Sequence, residues 1–116
     1  MKVKRIVADL QAGNPREVAR FYEEVLGLRV LMDLGWIATV GSAESMPIQL
    51  SLASEGGSET AMPNLSVEVD DLDEALTRAR SFGASIEYGP TTEPWGVRRF
   101  YVRDPAGSLI NILQHT

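Results

Sequence analysis

The stretch Asn14-Pro15-Arg16-Glu17-Val18-Ala19-Arg20-Phe21-Tyr22-Glu23-Glu24-Val25-Leu26-Gly27 decides the fold, because its design recurs later in the chain. Val18, Phe21, Tyr22, Val25 and Leu26 fall at i, i+3, i+4, i+7 and i+8, the single apolar stripe of an amphipathic helix. Asn14 stands at the N-cap, Pro15 at the first helical position and Glu17 three residues beyond the cap. Gly27 supplies the left-handed stop. In the second copy Asp71 caps, Glu74 lies three residues on, and Leu72, Ala75, Leu76, Ala79 and Phe82 form the stripe before Gly83. Laying Asn14 on Asp71 places Glu17 on Glu74, Val18 on Ala75 and Leu10 on Val67.

Outward from each helix the chain reads as strands. Val3–Leu10 precedes the first helix and Leu65–Val69 the second; both alternate apolar with polar residues. Short β segments follow each helix: Arg29–Met32, Trp36–Val40 and Ile48–Leu52 in the first half, then Ser85–Tyr88, Val97–Arg103 and Leu109–Leu113 in the second. Leu34-Gly35 and Asp104-Pro105-Ala106-Gly107 are turns. The polar, glycine-rich run Ser54-Glu55-Gly56-Gly57-Ser58-Glu59-Thr60 has no period and reads as a linker. The expectation is an α+β domain over 1–116: a βαβββ module over about 1–53, a linker over about 54–62, and a second βαβββ module over about 63–116. Each module is too small to close a core alone, so the two should pack as one domain.

Composition removes many functions. The 116 residues carry 11 Lys and Arg against 16 Asp and Glu, a formal charge of −5, with no cysteine and one histidine, His115. Disulfides, iron–sulfur clusters and thiol nucleophiles need cysteine, and a two-histidine metal centre needs a second imidazole. An acidic chain without a basic stripe argues against nucleic acid as a partner. No apolar run approaches membrane-spanning length and the start Met1-Lys2-Val3-Lys4-Arg5 turns polar too early for a signal peptide, so a cytoplasmic protein with no membrane partner is expected. No GxGxxG, Walker-type or GxSxG motif occurs.

Two βαβββ modules, the string Phe21-Tyr22-Glu23-Glu24-Val25-Leu26-Gly27-Leu28 and the run Glu93–Gly107 ending in Asp104-Pro105-Ala106-Gly107 resemble the vicinal oxygen chelate superfamily of glyoxalases, extradiol dioxygenases and bleomycin-resistance proteins. The resemblance spans about Val3 to Gln114 and implies a curved mixed sheet wrapped around a pocket. Enzymes of the superfamily place metal ligands at four positions on the inner face, which fall here on Val7, Gln49, Asn64 and Asn111. Valine cannot coordinate and neutral amides are weak donors, so no catalytic metal and no other cofactor is expected. His115 shares the parity of Asn111 but sits in the tail, where an ordinary terminal residue is the simpler reading.

With those positions inward, strand alternation brings Asp9 in beside Val7, Ser51 beside Gln49, and Ser66 and Glu68 beside Asn64. A face this polar is either solvated sheet or the wall of a polar ligand site; the resemblance, in which that face is concave, favours the ligand site. Arg99 and Tyr101 share its parity, while Phe100 and Val102 suit the core. Arg99 either binds a carboxylate or phosphate in bidentate fashion or lies over apolar surface, and Trp36 and Trp95 either lid the pocket or pack in the core or at its rim. Candidate ligand-binding residues are therefore Val7, Asp9, Gln49, Ser51, Asn64, Ser66, Arg99, Tyr101 and Asn111, with Glu68 as a general-base candidate. These predict a metal-independent small-molecule-binding protein, with a glyoxalase-like lyase or isomerase as the alternative. The resemblance also implies a homodimer.

Overall fold

Both helices begin and end where their caps place them. The computed structural model describes residue 8, residues 10–44 and residues 51–116. Helix α1 runs Pro15–Leu26, with the Asn14 side chain accepting from the Glu17 N–H, and helix α2 runs Leu72–Phe82, with Asp71 accepting from the Glu74 N–H. Gly27 and Gly83 close them in the left-handed conformation.

The strands are β1 Arg29–Asp33, β2 Ala38–Gly41, β3 Leu65–Glu68, β4 Ile86–Glu93, β5 Val97–Arg103 and β6 Leu109–His115. The second module forms a four-stranded mixed sheet in the order β3-β6-β5-β4, with β3 parallel to β6 and the other pairs antiparallel. In the first half β1 and β2 make an antiparallel ribbon. The expected strand Val3–Leu10 lies mostly outside the described residues, as do residues 48–50 of the expected strand Ile48–Leu52; Ser51 and Leu52 are irregular.

One face of the sheet and both helices enclose the core. Phe21 and Val25 of α1, Leu72 of α2, Phe100 and Val102 of β5, and Ile110 and Ile112 of β6 are fully buried. Each such side chain contributes roughly 1.5–3 kcal/mol by leaving water. The two sequence motifs meet at the edge of this core. The Tyr22 hydroxyl donates to Asp104 Oδ2 at 2.9 Å, while Asp104 Oδ1 accepts from the N–H groups of Ala106 and Ser108. The FY pair on α1 is thus tied to the β5–β6 turn.

Because Phe100, Val102, Ile110 and Ile112 point at the helices, alternation turns Arg99, Tyr101, Asn111 and Leu113 to the opposite face. That face carries the candidate site.

Candidate functional site

Register aligns a row of polar side chains across all four strands. Tyr88 of β4 pairs with Tyr101 of β5, Tyr101 with Asn111 of β6, and Asn111 with Ser66 of β3. Asn111 is buried, and its Nδ2 donates to Ser66 Oγ at 3.1 Å. Beside this row lies a buried ion pair. Arg99 Nη2 meets Glu93 Oε2 at 3.0 Å, and both side chains are only 4% exposed.

Three aromatic rings surround the guanidinium: its carbon lies 5.0 Å from the Tyr101 centroid, 5.2 Å from Trp95 and 5.3 Å from Tyr88. These contacts are attractive because the electron-rich ring faces meet a desolvated cation. Burial works against the Glu93 carboxylate, but hydrogen bonds from Ser58 and Tyr88, together with the charge and hydrogen bond of Arg99, hold it below the usual carboxylate range. Burial, then the hydrogen bond and charge of Asp104, push the Tyr22 phenol above its ordinary range.

Glu93 and Tyr88 were not singled out from the sequence, and their placement has a clear cause. Five residues apart on a regular strand, they would face opposite sides. The pairing skips between Tyr88 and Thr91, so this strand carries an extra residue at Gly89-Pro90 and both side chains reach the same face. Gly89 is required there: its φ is 76°, and a Cβ would collide with the Arg99 carbonyl.

The expected linker is itself part of the site. Residues 56–61 fold over the Arg99–Tyr101 face as a tight turn, closed by hydrogen bonds from the Gly56 N–H to the Thr60 carbonyl and from the Thr60 N–H to the Gly57 carbonyl. Around the Tyr101 hydroxyl stand Thr60 Oγ1 at 2.9 Å, the Ala61 carbonyl at 3.1 Å and the Gly56 carbonyl at 3.3 Å. Arg99 Nη2 also donates to the Gly57 carbonyl, and the Ser58 hydroxyl donates to Glu93 Oε2 at 2.7 Å. A glycine-rich run reads as a spacer, yet the absence of a Cβ is what lets this backbone come so close to the ring hydroxyl.

The remaining candidates divide. Arg99, Tyr101, Asn111 and Ser66 come together on one face. Asn64 adjoins them, but its Oδ1 accepts from the Leu109 N–H at 2.8 Å, so this amide holds β6 in place. Ser51 is exposed and lies in none of the described strands, so the described residues do not place it on a sheet wall as expected. Val7, Asp9 and Gln49 lie outside the described residues. Trp95 stacks on Arg99, whereas Trp36 is 76% exposed on the β1–β2 turn. Glu68 and His115 meet at the sheet's end, Oε2 to Nδ1 2.8 Å, both exposed.

A groove of about 290 Å³ lies elsewhere, between α1 and the β1–β2 ribbon, lined by residues that include Arg16, Arg20 and Asp33. Three of its charged groups are engaged: Arg16 bonds Asp33, and Arg20 pairs with Glu24 and lies over the Phe82 ring. On the Arg99 face, two buried polar atoms, Arg99 Nε and Asn111 Oδ1, lack partners among the described residues.

The family model for the Glyoxalase/Bleomycin resistance protein/Dioxygenase superfamily matches residues 2–112. The chain belongs to this superfamily. TioX from Micromonospora sp. ML1 is 26% identical, with 96% of this chain and 95% of that one covered and a TM-score of 0.64. TnmS3, an antibiotic binding protein from Streptomyces sp. CB03234, is 20% identical over 100% and 97% of the two chains at a TM-score of 0.66. Lactoylglutathione lyase from Agrobacterium tumefaciens is 18% identical over 97% and 92% at a TM-score of 0.57. No curated protein sequence matches the chain.

Of the four positions expected to match the metal-ligand places of the family's enzymes, the two described, Asn64 and Asn111, offer neutral amides, one spent on a backbone N–H and the other donating to Ser66. Among the described residues, no three His, Cys, Asp or Glu side chains converge. Amide oxygens of this kind do not fit a transition metal, which needs imidazole, thiolate or carboxylate.

Proposed function

We propose that this superfamily member is a metal-independent small-molecule-binding protein whose ligand lies on the sheet face formed by Ser66, Arg99, Tyr101 and Asn111. The observation that carries this reading is the Arg99 cluster. A guanidinium and a carboxylate are buried together under three aromatic rings, with the Arg99 Nε and the Asn111 Oδ1 lacking partners among the described residues. Buried polar atoms are ordinarily satisfied, so two bare ones on one face mark a place for an outside partner. Neither group is a nucleophile, and binding alone demands no more than shape and hydrogen bonds.

Val30, Leu31, Met32, Leu34 and Trp36 form an exposed apolar ribbon, which supports a homodimer as the working unit. The Glu68–His115 pair favours a second reading, a glyoxalase-like lyase or isomerase, because a carboxylate that orients an imidazole is one way to build a general base. A thermal-shift screen of small molecules, with each hit then incubated with the protein, separates the two. Hits recovered unchanged support binding, conversion of a hit supports the lyase or isomerase, and an absence of hits overturns both.

A further inference from the structure

The groove between α1 and the β1–β2 ribbon is open because the side chains at its floor are short. Ala19 of α1 and Ala38 of β2 line it, with Val30 alongside. They leave about 290 Å³ where a helix and a ribbon would ordinarily interdigitate. Arg16, also in the lining, meets a single carboxylate oxygen of Asp33 through Nε at 3.1 Å and through Nη2 at 2.6 Å. Both bonds run from one edge of the guanidinium, so its flat faces stay open on a side chain that is 84% exposed. An arginine held by its edge in this way stacks on aromatic rings. A small apolar floor beside an open guanidinium face fits a flat aromatic guest.

The chain carries such a group beside the groove. Asp33 and Ala38, the last pair of the ribbon before the β1–β2 turn, both line it, and Trp36 stands exposed on that turn. Trp36 does not line the groove of its own chain. Leu34, next to it, is exposed as well, and Leu31 and Met32 continue the apolar surface along β1. Resting on the homodimer reading above, we infer that the groove receives Trp36 of a second copy of this chain, and that two such contacts, related by a two-fold axis near the turn, form the dimer interface.

Knob and groove are neighbours on one element, so the arrangement is self-complementary: each copy gives an indole and accepts one, and a single axis satisfies both contacts. The indole face meets Arg16 and its body covers Ala19 and Ala38. A buried aromatic side chain removes about 150–250 Å² from water, and the two-fold supplies one from each copy. With Leu31 and Leu34 packed beside it, the ribbon supplies a large part of the about 800 Å² that each partner gives to a stable interface. An aromatic anchor in a pocket beside an arginine is also the composition of the residues that dominate interface energetics.

Sedimentation velocity over a concentration series compares the full chain with Trp36→Ala, which removes the knob, and with Ala38→Phe, which fills the groove. Val30→Phe is a second groove-filling variant, and circular dichroism confirms that each protein is folded. Trp36 is an exposed turn residue outside the core, so its replacement leaves the helix–sheet packing intact. Each folded variant should raise the dimer dissociation constant at least ten-fold. An equal mixture of the knob-less variant with a groove-filled one should associate more tightly than either by itself, because the Trp36 of one finds the open groove of the other and one of the two contacts is restored. A folded Trp36→Ala protein that dimerises as tightly as the unmodified chain, or a mixture that associates no more tightly than its components, overturns the inference and leaves the homodimer reading standing. A full chain that stays monomeric throughout the series overturns both.

Discussion

Replacing Glu93 by glutamine removes one charge from an ion pair that water barely reaches. Arg99 Nη2 lies 3.0 Å from Glu93 Oε2 and each side chain is 4% exposed. At an effective dielectric of about 20, unit charges at that separation attract by roughly 5.5 kcal/mol. Glutamine keeps an oxygen for Arg99 and Ser58, and the Tyr88 hydroxyl can turn to accept from its amide nitrogen, so part of the interaction survives. The expected loss of stability is about 3 kcal/mol, at the lower end of the cost of leaving a buried pair with one charge. For a domain of this size that corresponds to a fall in Tm of about 9–18 °C. Urea denaturation of Glu93→Gln, and of the closed cycle Glu93→Leu, Arg99→Met and the double variant Glu93→Leu with Arg99→Met, measures the loss and the coupling directly. The double variant should regain more than half of the loss, because an apolar pair leaves no charge stranded. A Glu93→Gln protein within about 0.5 kcal/mol of the parent would refute the reasoning, since it would mean the pair is hydrated or unformed.

Other contacts carry their own expectations. Tyr22→Phe removes a hydrogen bond to the Asp104 carboxylate and should cost about 1.5–3 kcal/mol in denaturant titration. Because the folded-state phenol titrates above its unfolded value of about 10, its contribution is complete below that pH and is lost as pH rises beyond it; the alkaline loss should shrink in Tyr22→Phe. At the acid end the sign reverses: Glu93 titrates below its ordinary range, so its contribution is present above about pH 4.3 and disappears as pH falls through the lower folded-state value, a limb that Glu93→Gln should lack. His115→Ala breaks only an exposed contact with Glu68 and should change stability by less than about 0.5 kcal/mol, with no change in the binding of any ligand held at Arg99.

The helices were legible because everything that defines them is local: an Asn or Asp cap, a stripe at helical spacing and a glycine stop. Strand β5 was legible to its terminal residues for a similar reason, since Phe100 and Val102 against Arg99 and Tyr101 is a period-two pattern that states which face packs on the helices. Glu93 and Tyr88 escaped because their shared face depends on the extra residue between Tyr88 and Thr91, which shifts parity without changing composition. The role of residues 56–61 escaped for a different reason. Its glycines and hydroxyls describe a loop equally well whether it spans a gap or lies on Arg99, and only the packing decides. The Asn64 side chain completes the backbone pairing of β6, a role that residue type cannot distinguish from ligand binding.

The most direct test of small-molecule binding at this face is an amide and side-chain NMR titration of the isotope-labelled chain with the strongest hits from the thermal-shift screen. Binding there should put the largest shifts on the Arg99 side chain, the Asn111 amide, the Trp95 indole and residues 56–61, with the compound recovered unchanged. Shifts confined to the groove between α1 and the β1–β2 ribbon, with the Arg99 and Asn111 signals unmoved, would contradict it.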